Sequence, residues 1–309
     1  MRTRSLSFAL LLACAVAAVA GTAVAVLAAA VDPAFLESEQ KWREARLKSL
    51  TRESGWLTLV GLHWLAPGPN RMGAAKDAPV RLDAPGIPAD AGTLVLNADA
   101  GRVVLQPAAG VPFTIEGKPV GGPRELAADV TGKPDVVKLG RLSFFVIKRD
   151  DRFGIRVKDP ESPTRTQFKG LDYFPPDPAW RVEATYEPLD TPRDVSVPTA
   201  IGTTEPAKAY GVLKFTVGGR QMTMLPLQDG PTGDISLVFA DKTSGEETYG
   251  AGRFLDTGAP KDGKVVLDFN QAYNPPCAFT PFATCPLPLR ENKLPIRVPA
   301  GEKKYAGGH

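Results

Sequence analysis

The stretch VLKFTVGGRQMTML, residues 212–225, decides the fold class. Apolar and polar residues alternate on both sides of Gly218-Gly219, as in two strands that each bury one face and meet in a tight hairpin turn. Similar short runs recur along the body, at 93–96, 102–105, 112–115, 141–148, 152–157, 180–186, 235–240 and 265–269. The pattern predicts a mainly β protein whose antiparallel body forms a sandwich or a barrel-like structure.

One helix is predicted ahead of these strands, over about residues 32–54. Asp32 is a suitable N-cap, Pro33 suits the first helical position, and Gly55 ends the helical pattern. The side chain of Trp42 falls on an aromatic face of this helix. We expect that face to pack on the β body.

Glycine and proline also shape the body. The chain contains 30 of each, which leaves few uninterrupted stretches for long helices and suits short strands joined by turns. Four of the prolines lie between residues 188 and 206 among mixed polar residues. We interpret 188–206 as a candidate seam between two β-rich halves of the body 31–309.

The first 30 residues are predicted to direct export, as a signal peptide or an N-terminal membrane anchor. Arg2 and Arg4 precede a segment without any charge, and Ala28-Ala29-Ala30 resembles a signal-peptidase site. The apolar stretch is also long enough to span a bilayer, so cleavage and retention both stay open. Either outcome places the body in the periplasm, outside the cell or at the inner membrane, and only an uncleaved segment would give it a membrane contact.

The charge and the cysteine content limit which kinds of partner and bound group the sequence predicts. The formal net charge is +3, and no basic stripe interleaved with aromatic residues is present, so no nucleic-acid partner is predicted. Cys277 and Cys285 are the only cysteines in the body, and in an oxidising compartment such a pair predicts a disulfide worth about 2–3 kcal/mol. A metal site is the alternative, but the spacing is unusual and the only histidines are His63 and His309. We therefore predict neither a metal nor a cofactor.

Polar side chains with candidate binding roles lie in the last quarter of the chain. The sequence has no Gly-x-Ser-x-Gly elbow, phosphate loop or dinucleotide fingerprint, so it leaves open whether the protein is an enzyme. An acidic turn after a strand and a proline-stiffened loop at 268–288 are typical of binding sites on a β scaffold, or of loops that cover a sheet edge. The candidate ligand-binding residues are Asp241, Arg253, Asp268, Asn270, Tyr273, Asn274 and Glu302.

The chain resembles the bacterial family of domain of unknown function 1684. The resemblance rests on the runs at Trp56, 156–174, 241–255, 268–288 and 300–303, and it extends from about Trp42 to Tyr305. It implies a domain definition rather than an activity or a substrate. The turn at 67–73 matches a turn of that family, but the polar run that can follow it is replaced here by Ala74-Ala75-Lys76-Asp77, which argues against a forkhead-associated-like phosphopeptide site.

Three functions remain open from the sequence. The first is a binding module whose small polar pocket, near 268–285, takes a small-molecule or cell-envelope ligand. The second is a hydrolase-like enzyme that pairs carboxylates among Asp241, Asp268 and Glu302, which requires a separation of ~5–10 Å. The third is a cell-envelope interaction protein.

Overall fold

The computed structural model describes residues 31–228 and 230–307. The predicted export segment and His309 lie outside the described residues. The described residues from Asp32 onward form one compact unit. Within the described ranges, no helix combines the length and the apolar character needed to cross a membrane.

The predicted N-terminal helix is confirmed as α1, Pro33–Thr51. The Asp32 side chain accepts a hydrogen bond of 2.9 Å from the Ala34 amide, so it caps the helix as its position predicts. The helix ends three residues earlier than expected, and the Gly55 amide closes the following turn on the Arg52 carbonyl. Trp42 packs towards Tyr273, with ring centroids 6.4 Å apart.

The first β half is a sandwich of two sheets. A six-stranded sheet has the order β1-β11-β10-β9-β6-β7 and a five-stranded sheet the order β3-β2-β4-β5-β8. Apolar side chains from both sheets, such as Leu94 and Phe144, fill one core between them. The strands are β1 Leu59–Trp64, β2 Gly68–Gly73, β3 Val80–Arg81, β4 Gly92–Asn97, β5 Arg102–Pro107, β6 Thr114–Ile115, β7 Lys118–Pro119, β8 Arg124–Leu126, β9 Val137–Leu139, β10 Leu142–Arg149 and β11 Arg152–Lys158.

The second β half repeats the two-layer arrangement. A four-stranded sheet, β14-β13-β12-β18, packs on a three-stranded sheet, β15-β16-β17, around a core that includes Phe215, Phe239 and Phe269. The mainly β, antiparallel prediction is therefore confirmed in its sandwich form, and the described residues form no closed barrel. The remaining elements are α2 Pro163–Thr166, β12 Arg181–Pro198, β13 Thr204–Val217, β14 Arg220–Met224, β15 Leu227–Gln228, β16 Ile235–Phe239, β17 Arg253–Thr257 and β18 Lys264–Asp268.

The segment 188–206 belongs to a long antiparallel pair. It joins β12 to β13 within one sheet, and the register shifts between Pro188 and Arg193, where the extra residues bulge out. The change from the first core to the second lies earlier, between Val157 and Trp180. Proline is tolerated in β12 because this part of the strand is largely exposed.

Candidate functional site

Arg253 lies fully buried at the start of β17, where neighbouring protein groups hold its guanidinium group. One terminal nitrogen donates to Asp241 Oδ2 and to the Val298 carbonyl, both at 2.9 Å, and the other donates to the Ala300 carbonyl. Burial lowers the pKa of Arg253, and the Asp241 carboxylate opposes that shift. Both terminal nitrogens of Arg253 are therefore engaged by Asp241 and by residues 298–300, and its predicted ligand contact stays a prediction.

Asp241 shapes the turn that follows β16. Its Oδ1 accepts from the amides of Thr243 at 2.7 Å and Val298 at 3.2 Å, and its own amide donates to Ser244 Oγ at 3.1 Å. In this turn, acidic and hydroxyl side chains cap the backbone of their own segment. That capping accounts for these residue types after the strand, and no ligand is needed to explain them. Asp241 is thus a buried structural group.

Glu302 and Asn274 meet beneath α1. Glu302 is fully buried, and its two oxygens accept from Arg46 Nε and from the Asn274 amide, both at 2.8 Å. The Asn274 side chain donates to the Lys303 carbonyl at 2.8 Å. The sequence did not predict a role for Arg46. The one feature that could have indicated it is that this charged residue lies on the same helix face as Trp42.

Tyr273 connects this buried network to a surface groove. Its hydroxyl donates to Asp256 Oδ2 at 2.6 Å, and Ser236 Oγ donates to the other oxygen of Asp256 at 2.8 Å. Burial is the largest cause that raises the pKa of Tyr273, and the hydrogen bond to Asp256 adds to it. The phenol therefore keeps its proton and holds the Asp256 carboxylate in place.

Asp268 forms the second fixed carboxylate of the groove. Its Oδ1 accepts from the amide of Asn270 at 3.1 Å and from the Asn270 side chain at 2.9 Å, while Oδ2 accepts from Arg181 at 2.8 Å. The Glu39 side chain of α1 faces Asp268 and accepts from Gln271 Nε2 at 2.9 Å. Asn270 is fully buried and supports Asp268 without reaching the groove itself.

These side chains line an open groove of about 660 Å³ at one end of the second β half. Of the seven sequence-predicted binding residues, Asp268 lines the groove directly, and Asn270 and Tyr273 support carboxylates that line it. The lining residues are Arg181, Asp234, Ile235, Ser236, Asp256, Thr257, Gly258, Val266, Asp268 and Gln271. Arg253, Asp241, Asn274 and Glu302 instead form the buried network described above.

The groove is polar and acidic. Three carboxylates, of Asp234, Asp256 and Asp268, line it together with a single cation, Arg181. Among the described residues, no three His, Cys, Asp or Glu side chains are grouped so that they could hold a metal ion.

A larger cavity, of about 770 Å³, lies at the edge of the first β half. Its wall is formed by residues of the segments 115–124 and 133–138, with Gly121, Gly122 and the exposed side chains of Lys118 and Lys133. None of these side chains is fixed by the hydrogen-bond networks that hold Asp256 and Asp268. We therefore place the candidate site in the groove.

Cys277 and Cys285 face each other as free, buried thiols. Each backbone amide donates to the other residue's sulfur, at 3.2 and 3.3 Å. The structure contains no disulfide between them, so that prediction is not confirmed. Hydrogen bonding with Cys285, with the nearby Arg156 as a further cause, lowers the pKa of Cys277, while the pKa of Cys285 is raised.

The fold and the groove define a β-sandwich protein with a polar surface site. The chain belongs to the family described as protein of unknown function (DUF1684), whose model matches residues 166–303. It is 35% identical to an uncharacterized protein of Haloarcula marismortui, over 47% of this chain and 80% of that one, with a TM-score of 0.39.

Two further structural likenesses are weaker. The FHA domain of FhaA is 20% identical over 31% of this chain and 97% of that one, with a TM-score of 0.22. EmbR of Mycobacterium tuberculosis is 14% identical over 40% of this chain and 31% of that one, with a TM-score of 0.21. These scores support no functional argument, and a comparison with curated proteins gave no match.

Proposed function

We propose that this chain is an exported binding protein that holds a small polar ligand in the groove lined by Arg181, Asp256 and Asp268. The observation that carries the proposal is the fixation of the groove's carboxylates by donors from within the protein. Both oxygens of Asp256 accept from hydroxyl groups, and both oxygens of Asp268 accept from nitrogen donors. Asp234 Oδ1 accepts from the Ala259 amide at 3.0 Å.

Fixed carboxylates favour binding because little side-chain freedom is lost when a ligand arrives. Asp256 is exposed and each of its oxygens accepts one internal hydrogen bond, so a second lone pair on each oxygen is available to a ligand. Among the described residues that line the groove, three carboxylates stand against one cation, Arg181, so the site favours a ligand that offers donors. The ligand expected from this chemistry carries several hydroxyl or amino groups, as small metabolites and cell-envelope fragments do.

A thermal-shift screen of such compounds tests the proposal. We expect compounds rich in hydroxyl or amino groups to raise the melting temperature of the wild type, because a ligand that binds only the folded state stabilises it. Asp256→Asn should reduce that rise. Asp194→Asn is the matched control, since Asp194 lies on the exposed part of β12 and pairs only with Lys208.

The binding proposal is preferred to the hydrolase hypothesis because of where the carboxyl groups lie. Asp241 and Glu302 are buried against Arg253 and Arg46, and neither lines the groove. The carboxyl group that faces Asp268 is Glu39, which is fully buried. A general acid or base must come within hydrogen-bond reach of its substrate, and these side chains offer no such access.

Export is the second part of the proposal. The basic start and uncharged segment of residues 1–31 support it, and the facing thiols of Cys277 and Cys285 are placed to form a disulfide in an oxidising compartment. Either a cleaved signal peptide or a retained anchor fits these features.

Intact-mass measurement of the protein from the cell-envelope fraction tests export and the disulfide together. We expect a chain that begins near residue 31, or a membrane-bound full chain, with a mass that rises by about 2 Da on reduction because two thiols form. Cys277→Ala removes the mass change and serves as the control. A full chain in the cytoplasm, or two free thiols in the exported protein, would contradict this part.

A further inference from the structure

The docking face of α1 is polar rather than apolar. Glu39, Arg43 and Arg46 follow one another at helical spacing and point at the second β half, followed by the buried Leu50. Arg43 donates to the Phe174 carbonyl at 3.0 Å, and Arg46 pairs with Glu302. Most surface helices dock through an apolar stripe, so the stability of this docking depends on the charge state of its side chains.

Glu39 is the group whose charge matters most. Its side chain is fully buried, and Oε1 accepts from Gln271. Oε2 has no hydrogen-bond donor among the described residues and the carboxyl group faces Asp268, whose oxygens already accept from Asn270 and Arg181. A buried carboxyl group that faces a carboxylate is ionised only at a cost, whereas a protonated Glu39 can donate a hydrogen bond to Asp268.

The surrounding charges do not neutralise a second carboxylate. On α1, the cation nearest to Glu39 is Arg43, which donates to Phe174 and lies over the Tyr173 ring at 4.3 Å. On β12, Arg181 is half-exposed and already bound to Asp268. The residue from the loop after β18, Gln271, is neutral. The negative charge of an ionised Glu39 would therefore face Asp268 while nearby cations neutralise it only in part.

We propose that α1 is a pH-responsive strap, docked while the buried Glu39 is protonated and loosened along its first three turns when Glu39 ionises. The later turns stay attached through Arg46 and Leu50, which contact the body independently of Glu39. The inference does not depend on whether the groove binds a ligand.

The direction of the pH effect follows from the burial of Glu39. Burial and the charge of Asp268 raise the pKa of Glu39, with burial the larger cause. A carboxyl group whose pKa is raised on folding stabilises the folded form relative to the unfolded one below its unfolded pKa. That contribution is lost as the pH rises through the folded pKa. Docking of α1 is therefore tighter in acid and weaker in alkali.

Fluorine NMR of the full chain labelled with 5-fluorotryptophan tests the strap directly. Trp42 lies on α1, and its resonance is assigned by comparison with Trp42→Phe. Between about pH 5 and about pH 9 we expect the docked fraction of the wild type to fall reversibly by at least about twofold. In Glu39→Gln the amide donates to Asp268 without needing a proton, so the Trp42 resonance stays at its docked position. Glu44→Gln, on the exposed face of α1, should behave like the wild type.

Asp268→Asn provides a second variant if Glu39→Gln does not fold. It gives Glu39 an amide donor when ionised and an amide acceptor when protonated, so the transition should also disappear. Burial lowers the pKa of His63, which lies on β1 and is present in every variant, so its titration cannot distinguish the variants. The proposal would be overturned if the position of the Trp42 resonance did not change with pH in the wild type, or if it changed equally in Glu39→Gln.

Discussion

Arg253 is a candidate ligand contact from the sequence, but in the structure its guanidinium group is held by partners within the protein. Its pairing with Asp241 takes place where both side chains are almost fully shielded, at 1% and 0% exposure. The network also fixes the segment from Val298 to Ala300 through its carbonyl oxygens. A buried charge held by this many internal partners contributes to the fold rather than to an exposed site.

Replacement of Arg253 by alanine should therefore destabilise the protein strongly. Arg253→Ala leaves the Asp241 carboxylate buried without its cation and frees two carbonyl groups, so we expect the free energy of unfolding to fall by about 3–5 kcal/mol. Urea denaturation measures the change. Lys264→Ala is the control, because its pair with Glu183 is exposed and should contribute little to stability. Equal, small losses in both variants would contradict the structural role.

At this scale the sequence predicted local contacts better than distant ones. The turn around Asp241 could be predicted because its hydrogen bonds with Thr243 and Ser244 join residues two and three positions apart. The partners of Arg253 on residues 298–300 lie more than 40 positions away, and nothing in the local pattern indicates them. For the same reason, the sequence did not indicate that Glu39 lies beside the candidate site residues.

The helix α1 is the element whose packing differs most from its sequence pattern. Its position and its Asp32 cap could be predicted from start signals. The aromatic face was expected to dock, and Trp42 does so, but most of the fixed contacts come from charged side chains. These contacts require partners on distant loops, so only the folded structure shows them.

Arg46 tests the polar docking of α1. Arg46→Ala removes the cation beside the buried Glu302 and the contact over the Tyr273 ring, so we expect a loss of about 3 kcal/mol in the free energy of unfolding. Lys41→Ala on the exposed face, paired only with Glu37, should change it by less than about 0.5 kcal/mol. Chemical denaturation followed by circular dichroism gives both values. A similar change in both would show that α1 does not depend on this contact.

At the scale of the whole molecule, the second β half carries the groove. The family match spans residues 166–303, which include all the groove-lining side chains and exclude the first sandwich. The strand content and antiparallel pairing could be predicted from alternation alone, because each strand buries one face. The boundary between the cores could not, because the prolines at 188–206 occupy exposed positions of one long strand pair.

The most direct test of the central claim is a calorimetric titration with the compound that most strongly raises the melting temperature. The fixed carboxylate of Asp256 should contribute a charge-assisted hydrogen bond, so we predict that Asp256→Asn weakens binding by about tenfold or more. Asp194→Asn should bind as tightly as the wild type. Equal affinity in all three proteins, or no compound that binds the wild type, would contradict a ligand site in this groove.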